Sequence, residues 1–185
     1  MSLRRRYTAT ARALHWAMAA IIIVAWAIGY YANTLVYGVD AGKGATITLH
    51  KSIATLTLFL VVIRIVWRIF HRPPELSGMG ALMKKAAHAG HFLLYVAMLT
   101  LPLSGWAYSS AAGYEIPVAG LFHIPQLLGK DPALEEFFKS IHFFLAWTIL
   151  VLVAGHIGFA LKHHFLDRDG IMHSMLPTWP GSTGR

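Results

Sequence analysis

Four runs of apolar residues, at about 13–31, 47–69, 87–108 and 138–162, constrain this chain more than any other feature. Each is long enough to cross a hydrocarbon core of about 30 Å as a helix, for which about 20 residues suffice. In lipid only helices and closed barrels satisfy every backbone N–H and C=O, and runs of this length are far too long for barrel strands. The expected fold class is therefore all-α: an integral membrane four-helix bundle, with residues 1–185 forming a single membrane domain. Composition points the same way, with 56% hydrophobic and 13% charged residues, where a soluble domain carries about 25% charged. There is no cysteine, which excludes thiolate iron–sulfur clusters, Cys-bearing zinc sites, covalently attached c-type haem and disulfides.

The connections are marked by breakers. Residues 38–44 are turn-rich, the stretch HRPPELSGMG at 71–80 ends the second run, and about 109–137 forms the longest connection, expected at a membrane surface. Basic residues give a direction. Arg4, Arg5, Arg6 and Arg12 precede the first run, Arg68, Arg72, Lys84 and Lys85 lie between the second and third, and Lys162, Arg168 and Arg185 follow the fourth. The other side has Lys43, Lys51, Lys130 and Lys139 among five acidic residues. The positive-inside rule then predicts cytoplasmic termini, with the first run retained as a span and not removed as a signal peptide. The net charge of +8 is assigned to topology and to lipid contact; no nucleic-acid partner is expected.

Histidines supply the chemistry. His142 and His156 are fourteen residues apart in the last run, so on a helix they fall within about 40° of each other and about 21 Å apart along the axis. His15 lies near the inner start of the first run and His50 at the outer start of the second. Depth sorts the four into an outer pair, His50 with His142, and an inner pair, His15 with His156. A single membrane histidine is ordinarily a helix-packing partner. Two depth-matched pairs facing across a bundle are how bis-histidine b-type haem is held. A zinc or copper centre would want three or four ligands converging at one depth, which suits a histidine-based metal-ion binder or transporter but fits two separated pairs poorly. Arg64 follows His50 by fourteen residues; an arginine inside a span needs an anion, and a haem propionate at the inner depth is the expected one. His88 and His91, in HAGH, read either as an interfacial pair near propionates or as a quinone or proton-transfer site. His71, His163, His164 and His173 fall in the basic inner flank and are expected to be solvated or lipid-facing, and His123 has no pattern to read.

The stretches RALHW (12–16), HKSIATLTLFLVVIRIVWR (50–68), AHAGHFLLYVAMLTLPLSGW (87–106), SSAAGY (109–114) and HFFLAWTILVLVAGHIGFALKHHFLDRDGIMHSMLP (142–177) resemble the bacterial cytochrome b561 family over nearly the whole chain. The resemblance implies a multi-pass protein of the bacterial inner membrane with two haem b groups, whose iron ligands match His15, His50, His142 and His156. It implies electron transfer, in one branch as a superoxide oxidase passing electrons from periplasmic superoxide to ubiquinone. In more distant relatives it implies a cytochrome subunit between a dehydrogenase or hydrogenase and the quinone pool, with a redox protein as donor. Lys51 and Lys139, each close to an outer histidine, are candidates for steering superoxide; the alternative for both is ordinary anchoring at the span ends.

Overall fold

The computed structural model describes residues 6–74 and 79–176. Arg4, Arg5 and Arg185 of the charge argument, residues 75–78 of the second break and residue 177 of the quoted C-terminal stretch lie outside the described residues. Four long helices, α1 (Ala9–Thr34), α2 (Lys43–Phe70), α3 (Ala81–Ala111) and α4 (Pro132–Lys162), are joined in sequence, with a small hairpin β1 (Ile116–Val118) and β2 (Phe122–Ile124) in the long connection between α3 and α4. A π-helical turn, His163–Asp167, and a short helix α5 (Ile171–Met175) follow α4. All four long helices are long and apolar enough to cross a membrane.

Every helix runs past its apolar run, because the hydrocarbon sets where residues must be apolar and not where a helix must stop. Two of these extensions have local causes. α4 starts at Pro132 rather than at 138 because Asp131 caps it, its Oδ1 accepting from Ala133 N at 2.8 Å and Leu134 N at 3.1 Å, with proline at the first turn where no N–H is needed. α1 is capped by Thr8, whose Oγ1 accepts from Ala11 N at 3.2 Å.

The bundle packs mainly as two antiparallel hairpins, α1 with α2 and α3 with α4, joined along α2 and α3. Small residues let these backbones approach: Ala25, Ala32, Thr55, Thr57, Ala97, Ser104, Ala107, Ser109, Ser110 and Ala111 are buried. Many large apolar side chains point the other way, with Phe144 69% and Phe143 55% exposed, as lipid-facing positions require. α1 and α4 meet through long side chains; Trp26 Nε1 donates to Ala146 O at 2.9 Å and its ring meets Trp147 edge-on.

The bundle has two ends. One, here the terminal face, carries the start and end of the chain: Arg6 donates to His173 O at 2.8 Å, Arg12 to Leu176 O at 3.3 Å and Trp16 Nε1 to Met175 O at 2.9 Å. The other, the hairpin face, carries β1 and β2. This hairpin falls inside the long connection, about 109–137, expected at a membrane surface. Its reversal uses left-handed backbone at Ala119 (φ 49°) and Gly120 (φ 71°), the geometry a tight hairpin demands. It closes over α2 through Ala119 N to Ser52 O at 3.4 Å, with Ile116 and Val118 buried.

Candidate functional site

Near the hairpin face, His50 of α2 and His142 of α4 bring their ring centroids to 6.2 Å, at 77° between planes. Near the terminal face, His15 of α1 and His156 of α4 meet at 6.1 Å and 66°. Two imidazoles bound axially to one metal, each bond about 2 Å and each ring nitrogen about 1 Å from its centroid, stand about 6 Å apart. Both pairs have that separation.

The first pair is seated on glycine. A Cβ on Gly29 would lie 2.7 Å from His50 Cε1, and one on Gly105 would lie 2.9 Å from His142 Cε1. Each ring lies in a groove that any side chain would fill. Each also bonds the carbonyl four residues before its glycine: His50 Nδ1–H donates to Ala25 O at 2.9 Å, and His142 Nδ1–H to Leu101 O at 3.2 Å. Because a carbonyl only accepts, Nδ1 carries the proton and Nε2 keeps its lone pair, the state in which imidazole binds a metal. The donor set and the glycine seats fit a bis-histidine haem.

Arg64 reaches the second pair, and the structure places it against the histidine itself. Its Nη2 is 3.3 Å from His15 Nδ1, its Nε donates to Tyr95 Oη at 3.1 Å and its Nη1 to Ala11 O at 3.4 Å. Tyr95 was not legible as a site residue. The two members of HAGH separate: the His91 ring stands 5.4 Å from that of His156, whereas His88 is exposed. An apolar cavity of about 260 Å³ opens between α3 and α4, with His91, His156, His163, Gly90 and Gly155 in its wall. A Cβ at Gly90 or Gly155 would meet nothing within 4 Å, so these two glycines leave open space where Gly29 and Gly105 receive rings.

His163 corrects the expectation of a solvated or lipid-facing residue. It is 7% exposed, with Nδ1 2.9 Å from Asp167 Oδ2 and 2.7 Å from Asp169 Oδ2. The wide π-turn aims it inward, and left-handed backbone at Arg168 and Gly170 brings Asp169 back onto it. These three groups also have the donor atoms of a metal site. Lys162 argues against an ion, since its ammonium lies 2.9 and 2.7 Å from the two oxygens of Asp167; His163 Nδ1 lies within ion-pair distance of both carboxylates but makes no aligned hydrogen bond with either.

The lysines at the hairpin face differ. Lys51 is partly buried, donates to Ser109 Oγ at 2.7 Å and lies over the Tyr114 ring at 5.0 Å. Lys139 is exposed and paired with Glu136 at 2.9 Å.

Fold and site together define a four-helix membrane protein with two paired-histidine centres stacked along one bundle. The model of the prokaryotic cytochrome b561 family matches residues 6–178, and the chain belongs to that family. It is similar to cytochrome b561 homolog 2 of Escherichia coli (strain K12), 38% identical over 172 residues that cover 92% of this chain and 91% of that protein. It is 27% identical to cytochrome b561 homolog 1 of the same strain, over 93% and 97% of the two chains. It is 23% identical to the probable superoxide oxidase CybB of Yersinia pestis, over 95% and 98%. The protein is thus a bacterial multi-pass membrane electron-transfer protein of a family that binds haem b.

Proposed function

We propose that this single-domain protein holds two haem b groups, one between His50 and His142 and one between His15 and His156, and passes electrons from superoxide to ubiquinone across the bacterial inner membrane. The observation that carries the reading is the pair of ring separations, 6.2 and 6.1 Å, at two depths of one bundle. Haem supplies one-electron redox chemistry when bound. The chain supplies the ligands, the seats that orient them and access from each face.

The hairpin face is the periplasmic one on the charge argument, and it is where superoxide would give up its electron, with Lys51 as the cation nearest a ligand in sequence. At the terminal face the cavity beside His91 and His156 is the place for the quinone ring, with His163 in the cavity wall. The balance is two superoxide anions giving two molecules of dioxygen, while one ubiquinone takes two electrons and two protons to become ubiquinol. Similarity to a probable superoxide oxidase supports this donor.

The test uses the purified protein alone. Its visible spectrum and haem content are measured first, and two haems per chain are expected. Stopped-flow mixing with superoxide is then expected to reduce the haem bands, and added ubiquinone to reoxidise them. Haem bands that respond to quinol but not to superoxide would reject this donor and leave a subunit that receives its electrons from a partner dehydrogenase.

A further inference from the structure

Beyond α4 the chain builds a second cavity, lined by His164, Phe165, Arg168, Gly170 and His173. It holds about 310 Å³, at the lower end of the volumes that take small ligands, about 300–1,000 Å³. Its lining carries one cation, two imidazoles and no carboxylate. The rings of His164 and His173 stand 5.2 Å apart. Arg168 is exposed and has left-handed backbone, φ 49°, with Gly170 at φ 73° completing the turn into α5. Its Nε donates to Phe165 O at 3.4 Å; among the described residues its two terminal nitrogens have no hydrogen-bond partner and no carboxylate pairs with it. Both acidic neighbours of Arg168 are engaged elsewhere. Asp167 accepts from Lys162 with both oxygens, while Asp169 lies 2.7 Å from His163 Nδ1 and accepts from Ile171 N at 3.0 Å. Phe165 and Leu166 are 64% and 76% exposed, at the end of a segment, Pro132–Asp167, long and apolar enough to cross a membrane.

We propose that this cavity binds the phosphodiester of an anionic phospholipid. The charged oxygens of a phosphodiester only accept hydrogen bonds, and every polar side chain of the lining can donate one: the guanidinium of Arg168 from two nitrogens, and each imidazole from a ring N–H in any protonation state. The apolar rim decides between a lipid and a free anion. A spanning segment that ends in exposed Phe165 and Leu166 has acyl chains beside it up to that point, so a lipid phosphate already lies at the depth of Arg168. Arg168 supplies the net attraction that selects an anionic headgroup, since a zwitterionic one carries its own cation. Bound there, the lipid bridges the end of α4 to α5. The carbonyls of His173, Met175 and Leu176 accept from Arg6, Arg12 and Trp16, so the same lipid holds the start and the end of the chain together at the terminal face.

The test uses the full chain in nonionic detergent, with dioleoyl phosphatidylglycerol or dioleoyl phosphatidylcholine added and bound lipid counted by native mass spectrometry. One phosphatidylglycerol per chain is expected to bind, preferred over phosphatidylcholine by about fivefold or more, the scale of one basic residue at an anionic surface. Inorganic phosphate at the same concentration is expected not to displace it. Arg168→Gly keeps a left-handed turn that glycine adopts freely and removes the guanidinium. It is expected to weaken phosphatidylglycerol binding at least about tenfold, the scale of a charge-assisted hydrogen bond. The double variant His164→Gln/His173→Gln is expected to weaken it severalfold with Arg168 in place. Lys85→Gln, at an exposed lysine near the start of α3 and outside the cavity, is expected to leave it unchanged. Circular dichroism establishes that each variant keeps its helices, and the two cavity variants are independent, so either one decides if the other does not fold. Parent-like binding in a folded cavity variant, equal retention of phosphatidylcholine, or an equal loss in Lys85→Gln would overturn the site. Displacement by inorganic phosphate would overturn the lipid as its occupant.

Discussion

The His50 ring occupies the space that a side chain on Gly29 would need: a Cβ there would stand 2.7 Å from Cε1 and 2.8 Å from Nδ1. Gly105 stands in the same relation to His142, with 2.9 and 3.2 Å to the same two atoms. Gly29→Ala and Gly105→Ala are therefore expected to push one ring off its carbonyl, an overpacking cost of about 1–3 kcal/mol. The expected outcome is a fall in haem content from two per chain toward one, with the other centre retained. Gly158→Ala is the control, since a Cβ there meets nothing within 4 Å. Full haem content and an unshifted spectrum in Gly29→Ala would show that the seat does not matter.

Ligand assignment follows from which rings meet. His50→Ala and His142→Ala are expected to remove one and the same haem, and His15→Ala and His156→Ala the other, each leaving about half of the parent absorbance in a titration of haem per chain. The four variants should fall into two spectral classes with no mixing. The same residual spectrum from His142→Ala and His156→Ala would rule out two separate centres.

The four spans and the partnering of the four histidines were legible because both depend on helical periodicity and on length against a bilayer. Fourteen-residue spacing puts His142 and His156 on one face whatever their neighbours do. The hairpin at 116–124 was not legible, since two three-residue strands beside prolines give no alternation long enough to stand out. Arg64 was recognised as needing a partner, but its contacts with His15 and Tyr95 depend on how α1, α2 and α3 are rotated, which periodicity leaves open. His163 was misplaced for a similar reason. Its burial comes from the π-turn and from Asp169 returning through left-handed backbone at Arg168, and in HHFLDRDG nothing separates it from the neighbouring His164.

The cavity between α3 and α4 makes a prediction about the electron acceptor. Gly90 faces open space, with nothing within 4 Å of a Cβ, so a larger residue there should leave the backbone undisturbed while filling the cavity. Gly90→Leu is expected to slow ubiquinone reduction by about tenfold or more, the scale on which a few methylene groups act in an apolar pocket. Haem content and the rate of reduction by a small soluble donor should stay at parent values. A parent-like quinone rate in a protein that keeps both haems would place the acceptor elsewhere.

Lys51 and Lys139 both adjoin histidines of the hairpin face in sequence, but the structure treats them unequally. Lys139 shares its charge with Glu136 at 2.9 Å, with side chains 54% and 69% exposed, and an exposed pair of that kind presents little net field. Lys51 meets a hydroxyl and an aromatic ring, neither of which cancels its charge, and it follows His50 directly. If superoxide is steered, Lys51→Gln is expected to lower the association rate by about tenfold at low salt, the smaller end of the range for electrostatic steering. Lys139→Gln should change it much less. Raising ionic strength from 0.1 M to 1 M shortens the screening length from about 10 Å to about 3 Å, so the parent rate should fall toward that of Lys51→Gln. Electron entry from a neutral reductant should be the same in all three proteins. Stopped-flow rates measured across that salt series decide the matter: equal superoxide rates for the parent and Lys51→Gln at low salt would remove steering by Lys51, while leaving the paired-histidine centres as they are.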